Sequence, residues 1–159
     1  MWGECVVKPV IGSLGFGSFK IDNYDMLYNV SKTLLSLGHP VYLQRFIKKP
    51  QRDIRVFVVG DEVVGSMYRV VNDSRLWKTN IAQGGKPQPG PVDEELLELS
   101  IKATKALGLL YSGVDIAEGD DGYYVLEVNA APLWKGLQNV IKTNIASKIV
   151  DFVISLVRR

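Results

Sequence analysis

Two acidic side chains and a carboxamide, Asp115, Glu127 and Asn129, fall in a stretch that reads as a β-hairpin, Ser112–Glu118 and Tyr123–Asn129. A three-residue loop, Asp120-Asp121-Gly122, with Gly122 in the left-handed position, pairs Gly119 with Tyr123. Counting back two for two sets Asp115 directly opposite Glu127, with Cβ atoms about 4.5–5.5 Å apart. Asn129 lies two residues beyond Glu127, on the same face. The neighbours Val114, Ile116, Val125, Leu126 and Val128 are apolar. Like charges brought together in such surroundings need a cation. An all-oxygen donor set selects a hard ion, Mg2+ or Mn2+, and Mg2+ fills the rest of its shell with phosphate oxygens and water. The competing arrangement is an ordinary salt-bridge network, with Lys or Arg on Asp115 and Glu127. Both depend on register, because a slip of one residue turns every side chain to the other face.

A second group suits phosphate. Gly12-Ser13-Leu14-Gly15-Phe16-Gly17 follows an apolar strand, and such a loop can present backbone N–H groups to an anion. It is not a Walker loop, since Gly-Lys-Ser/Thr is absent, and the Rossmann glycine order is not met. Taken alone, a stretch of this kind is more often a plain turn. Lys8 at the strand end, with Arg55, Arg69 and Lys78 further on, supplies cations whose default is solvated surface. Other reactive types read blandly. His39 between Gly38 and Pro40 is a turn residue, Cys5 belongs to a core strand, Trp77 and Trp134 pack, and Lys48-Lys49 and Arg158-Arg159 are solvated ends.

The elements that must position these residues alternate in type. Cys5–Ile11 reads as a buried strand and residues 12–18 as a loop. Asp22 or Asn23 caps a helix carrying Met26, Leu27, Val30, Leu34 and Leu37, stopped by Gly38 and Pro40. Val41–Ile47 is the next strand. Ile54–Val59 and Glu62–Val71 flank Gly60-Asp61, a two-residue turn with Gly first. Residues 72–92 form one long irregular stretch, of the length that is usually functional or disordered. Asp93 caps a helix with Leu96, Leu97, Ile101, Thr104 and Leu107 inward, and Ile141–Val157 is an amphipathic closing helix. The class is α+β with antiparallel sheet.

Composition narrows the function. The 159 residues carry 19 Lys+Arg against 17 Asp+Glu, one His and one Cys, with 47% hydrophobic. One Cys excludes a disulfide framework, and one His excludes a multi-His metal site. A formal charge of +2 with scattered basic residues gives no footprint for nucleic acid. No apolar run approaches the ~20 residues needed to span a bilayer, so no membrane association is expected. A reducing, cytoplasmic compartment is the expectation.

Taken in order, Val6-Val7-Lys8-Pro9, Gly12–Gly17, Gln44-Arg45-Phe46-Ile47, Asp53-Ile54-Arg55-Val56, Trp77-Lys78-Thr79-Asn80, Gly113-Val114-Asp115-Ile116 and Leu126-Glu127-Val128-Asn129-Ala130-Ala131-Pro132 resemble the RimK-like ATP-grasp ligases, from residue 5 to the C-terminus. Gly136 after Trp134-Lys135 leans toward archaeal-type members that attach glutamate to a coenzyme. The resemblance implies an ATP-grasp fold of two lobes, residues 1–50 a partial first lobe and 51–159 the second. It implies that Asp115, Glu127 and Asn129 hold two Mg2+ or Mn2+ ions bridging the phosphates of ATP. Lys8 would contact the phosphates, and the loop with Gly12, Ser13, Gly15 and Gly17 would close over them. Gln44, Arg45, Phe46 and Ile47 would be the adenine hinge, Asp53 would lie near the ribose, and Arg55 would belong to the nucleotide-binding set. Lys78, Thr79 and Asn80 would reach the phosphates and reaction centre, with Arg69 beside them; Arg69, Lys78 and Asn80 would be catalytic.

The implied reaction activates a carboxylate as an acylphosphate, which an amine such as that of glutamate attacks to give an amide, ADP and phosphate. Two residues depart from the pattern. Arg45 stands where an acidic residue is usual, and Lys78 where many members have Arg, with its bidentate grip. Members also carry an N-terminal acceptor domain and further first-lobe elements before the strand at Val6. The expectation is therefore a fragment, or a chain completed by self-association or by a partner. A nucleotide- and metal-binding module without ligase activity of its own is the alternative.

Overall fold

A computed structural model of the chain describes residues 3–73 and 75–158. They form two compact units, which meet in sequence at Lys48 and Lys49.

The first unit is a three-stranded antiparallel sheet in the order β2-β1-β3, with β1 Cys5–Pro9, β2 Phe19–Ile21 and β3 Val41–Arg45. Helix α1, Tyr24–Ser36, packs on it through Leu27, Val30 and Leu34 against Cys5, Val7 and Ile21. Asn23 is the N-cap, its side-chain oxygen accepting from the Met26 N–H at 2.8 Å. The helix ends as Gly38 enters positive φ and the His39 N–H turns back to the Leu34 carbonyl at 2.9 Å. His39 is thus the turn residue expected. Burial raises the pKa of the Cys5 thiol, in keeping with a core residue. Both strands stop two residues short of the expected ends, and β2 lies just beyond the residues expected as loop. Three residues are too few for a periodic signal.

The second unit is a five-stranded antiparallel sheet in the order β6-β5-β4-β7-β8. Its strands are β4 Arg52–Val59, β5 Glu62–Val70, β6 Lys86–Pro89, β7 Tyr111–Gly119 and β8 Gly122–Asn129. β4 and β5 turn at Gly60-Asp61 as expected, with Gly60 at φ 59°. β6 breaks the stretch expected to be irregular. Its two prolines hid it, and they suit an edge strand. Helix α2, Glu94–Ala106, is capped by Asp93, whose carboxylate accepts from the Leu96 N–H at 3.0 Å. It covers one sheet face, Leu96 packing with Ile54, Val56, Val58, Val114 and Ile116. Leu107, expected inward, is the C-cap and is exposed.

The opposite face is divided. Phe57, Val59, Val64 and Met67 lie under Leu137 of α3, Lys135–Gln138, and Ile145 of α4, Ile145–Val157. The closing helix expected from residue 141 starts four residues later, at Ile145, and a separate short helix precedes it. Asn144 caps α4, accepting from the Ser147 N–H at 3.0 Å, and the Gln138 amide ties residues 143 and 145 across the break. The remaining part of this face is polar.

The acidic hairpin reaches the expected register by a different route. Its loop is the two residues Asp120 and Asp121, and Gly119 pairs with Gly122, not with Tyr123. A bulge then leaves Leu126 as an extra residue in β8, since Ile116 pairs with Val125 and Asp115 with Glu127. A loop one residue shorter and a bulge one residue longer cancel, and the two carboxylates stand opposite each other.

Candidate functional site

Three rows of side chains cross the polar face of the second unit. Gly65, Phe57, Gly113 and Asn129 form one; Met67, Arg55, Asp115 and Glu127 form the next; Arg69 and Asp53 begin the third. Strand pairing alone therefore brings together six residues that sequence reasoning had singled out: Asp53, Arg55, Arg69, Asp115, Glu127 and Asn129. They come from all four strands β4, β5, β7 and β8.

Ion pairs tie four of them into a chain. Arg69 grips Asp53 with two bonds, Nε to Oδ1 and Nη2 to Oδ2, each 2.7 Å. Its Nη2 also lies 3.0 Å from Asp115 Oδ2. Arg55 takes Asp115 from the other side, Nε to Oδ1 and Nη2 to Oδ2, the latter at 3.0 Å. Asp53, Arg69 and Asp115 are each at most 5% exposed. Burial opposes the charge of Arg69, yet Asp115 and Asp53 more than offset it and raise the guanidinium above its ordinary pKa. The salt-bridge arrangement is thus realised for Asp115, and Arg69 is not surface. Glu127 is exposed, and the ion pairs among the described residues leave it out. The Asn129 amide donates to the Gly113 carbonyl at 3.2 Å, which leaves its own carbonyl oxygen as an acceptor. Two positive and three negative groups give the face a surplus of one negative charge.

The donors fit a hard divalent cation. Asp115 and Glu127 are cross-strand neighbours, Asn129 is one row away, and all offer oxygen. Among the described residues no group of three or more His, Cys, Asp or Glu side chains is placed to hold a metal ion, so the third oxygen donor here is the Asn129 carboxamide.

The segment bearing Lys78, Thr79 and Asn80 is pinned beside this face. Thr79 is buried; the Asn80 carbonyl accepts from Gln83 and Gly85, and a Cβ at Gly85 would lie 2.1 Å from the Thr79 carbonyl oxygen. Ile81, Met67 and Gly136 meet, because a Cβ at Gly136 would lie 3.6–3.7 Å from the other two. Met67 is the cross-strand neighbour of Arg55, so Ile81, next to Asn80, is set against the site's second row. Burial lowers the Lys78 pKa, and its ammonium sits 5.3 Å from the Trp77 ring centroid.

Sequence reasoning missed Lys49. It is half-buried, not a solvated end, and its Nζ donates to the Arg52 carbonyl at 2.9 Å. Burial lowers its pKa, with Asp53 partly offsetting the loss. Its place beside another lysine in a basic, proline-containing run disguised this. Trp134 does pack, edge-on to Phe57 at 5.9 Å.

In the first unit, the glycine loop folds over the Pro9 ring: a Cβ would lie 3.0 Å from Pro9 Cγ at Gly12 and 3.2 Å at Gly17. Gly15 and Gly17 take positive φ, and the Phe16 N–H bonds the Ser13 carbonyl at 3.2 Å. Lys8 and Gln44 lie on adjacent strands β1 and β3, Lys8 opposite Tyr42 and Gln44 opposite Val6. Arg45 pairs with Cys5; the Phe46 N–H reaches the Glu4 carbonyl at 3.2 Å, and Ile47 is half-buried.

The sequence model of the RimK-like ATP-grasp domain matches residues 3–153. The chain belongs to that family. Among curated relatives, this RimK-like domain is 41% identical over 161 residues to the tetrahydromethanopterin:alpha-L-glutamate ligase of Methanocaldococcus jannaschii, covering 98% of this chain and 55% of that protein. It is 40% identical over 151 residues to the alpha-aminoadipate–LysW ligase LysX of Saccharolobus solfataricus, covering 92% and 54%. The chain spans about half the length of the curated relatives it matches. Its fold matches the ATP-grasp ligase PsnB, solved with a minimal precursor, Mg and ADP, at a TM-score of 0.72 and 28% identity, over 96% of this chain and 46% of that one. The D-cycloserine synthetase DcsG shares the fold at a TM-score of 0.75 and 17% identity, over 95% and 55%. The α+β, ATP-grasp expectation therefore holds. Among the described residues, no helix is long and apolar enough to cross a membrane.

Proposed function

We propose that this chain is the nucleotide- and metal-binding part of an ATP-dependent carboxylate–amine ligase. The reaction would join glutamate, or a similar amino acid, to a carboxylate acceptor through an acylphosphate, releasing ADP and phosphate. The observation that carries the reading is the row Arg55-Asp115-Glu127 with Asn129 alongside, cations and oxygen donors interleaved on one sheet face. The relatives named as glutamate and aminoadipate ligases supply the substrate class.

Asp115, Glu127 and Asn129 would hold two divalent ions, Mg2+ or Mn2+, which supply charge neutralisation at the phosphates. Lys8 and the backbone of Gly12, Ser13, Gly15 and Gly17 would take phosphate oxygens, and Gln44–Ile47 the adenine edge. Lys78, Thr79 and Asn80 would approach the reacting phosphoryl group, with Arg55 and Arg69 countering its charge. Asp53 would lie near the ribose and would also hold Arg69, which grips both of its oxygens. Catalysis here is positioning and charge stabilisation. A cytoplasmic setting, and completion by self-association or by a partner chain, are part of the proposal. A nucleotide- and metal-binding module without independent turnover is the second reading.

Calorimetry with a non-hydrolysable ATP analogue, with and without Mg2+, tests the site. Metal-dependent binding that is lost in Glu127→Ala supports it, and binding indifferent to both overturns it. Transfer of 18O from an acceptor carboxylate into released phosphate separates the ligase from the silent module.

A further inference from the structure

Asp115 has two arginines, and they are not equivalent. Arg69 is fixed from behind by its two-pronged hold on Asp53, and its side chain is 5% exposed. Arg55 has no second carboxylate among the described contacts. Among the described residues its only anionic partner is Asp115, and its side chain is 12% exposed. It packs directly on the backbone of residue 113, which only a residue without a side chain allows: a Cβ there would lie 2.8 Å from Arg55 Nη1. One guanidinium is therefore held between two carboxylates and the other by a single one.

The lone pairs are limited as well. A carboxylate offers about four acceptor sites. Arg55 covers one on each oxygen and Arg69 takes a second on Oδ2, so three are used and a single one remains, on Oδ1. A divalent ion bridging Asp115 and Glu127 needs an oxygen that faces across to β8. It also brings two positive charges to a carboxylate that already neutralises Arg55. We infer that Arg55 occupies the metal's place on Asp115 and must let go for the metal to bind, whereas Arg69 stays. Release turns a two-pronged guanidinium from a carboxylate into a donor for an oxyanion of the bound nucleotide. Arg55 is thus a positioning residue that keeps Asp115 satisfied and aimed until a metal binds. This inference rests on the metal-binding reading proposed above.

The sign of the test separates exchange from simple support. If Arg55 only braces Asp115, removing it loosens a metal ligand and weakens binding. If it competes, removal tightens binding while Arg69 still holds Asp115. Mn2+ alone is titrated into the full chain, followed by electron paramagnetic resonance of the free ion, for wild type, Arg55→Met, Arg55→Lys and Arg55→Met with Glu127→Gln. Arg55→Met should bind Mn2+ roughly tenfold more tightly than wild type, the scale of a group acting through a ligand. Arg55→Lys, which keeps the charge but loses the two-pronged grip, should fall between them. It carries the test if the methionine variant does not fold. Adding Glu127→Gln should abolish the gain. Mn2+ affinity in both Arg55 variants equal to or weaker than wild type overturns the exchange. If wild type also binds Mn2+ in the presence of the ATP analogue, the metal site itself survives that result. Absence of Mn2+ binding in every variant, with or without the analogue, overturns both.

Discussion

One face of the five-stranded sheet is held in two ways. Where α3 and α4 cover it, Phe57, Val59 and Met67 are buried against Leu137 and Ile145, and the stabilisation is area removed from water, indifferent to direction. One and two rows away on the same strand β4, Arg55 is half-buried and Asp53 buried among charges, and their ion pairs are directional. The apolar half tolerates reshaping at fixed volume. The polar half tolerates nothing that leaves a charge alone, because an unpaired buried ion costs far more than the pair contributes. That difference suits the polar half for function: its interactions can be exchanged for those of an incoming ion, whereas Phe57 has nothing to exchange.

The largest expected effect lies in the apolar half. Phe57→Ala should destabilise by about 3–5 kcal/mol in urea unfolding, since a fully buried ring is removed between the two helices. Arg69→Met should cost about 3 kcal/mol by stranding Asp53, while Asp115 keeps Arg55. The comparison sharpens when Asp53→Leu is added. The double variant should recover part of the Arg69→Met loss, a coupling of about 0.5–3 kcal/mol, because no stranded partner remains on that side. Strict additivity of the two losses would show that the pair is not a unit, and would erase the contrast between the halves.

Gly113 joins the two halves, standing between Phe57 on β4 and Asn129 on β8. A methyl group there would lie 2.7 Å from Pro132 Cβ as well as 2.8 Å from Arg55 Nη1. Gly113→Ala should therefore cost about 1–3 kcal/mol through overpacking. It should also push Arg55 off Asp115, so that Mn2+ affinity rises as it does on removing the guanidinium. A stability loss with unchanged metal affinity would place the strain on Pro132 alone.

What the sequence revealed of this site was its local part. Asp115 and Glu127 belong to one hairpin, and alternation within it is enough to set them on one face. Even so, the expected register survived only because the shorter loop and the bulge at Leu126 cancelled, and nothing in Val125-Leu126-Glu127 announces a bulge. The arginines were legible as residues but not as partners. Arg55 meets Asp115 sixty positions away through the β4–β7 pairing, which no local pattern encodes. Short edge pieces such as β2 and the proline-bearing β6 lack the length for a period. The caps at Asn23 and Asp93 were legible because their chemistry is local.

The smallest effect concerns Lys49, a cation near the fixed end of the ion-pair chain. Burial holds its ammonium below the ordinary value of 10.5, with Asp53 partly offsetting this. In the window between the lowered native pKa and 10.5, the unfolded chain binds more protons than the native one. Stability contributed through this group therefore rises with pH across that window, by at most about 1.4 kcal/mol per pH unit for one proton. Tyr68 and Tyr123 work the other way in the alkaline range, because burial raises both phenols and the native chain then holds more protons. The informative quantity is thus the difference between wild type and Lys49→Met, in which the tyrosines cancel. That difference, from urea midpoints across the alkaline range, should rise with pH. A flat difference would mean that the lysine is as well solvated in the native chain as in the unfolded one, and that the charged chain ends at Asp53.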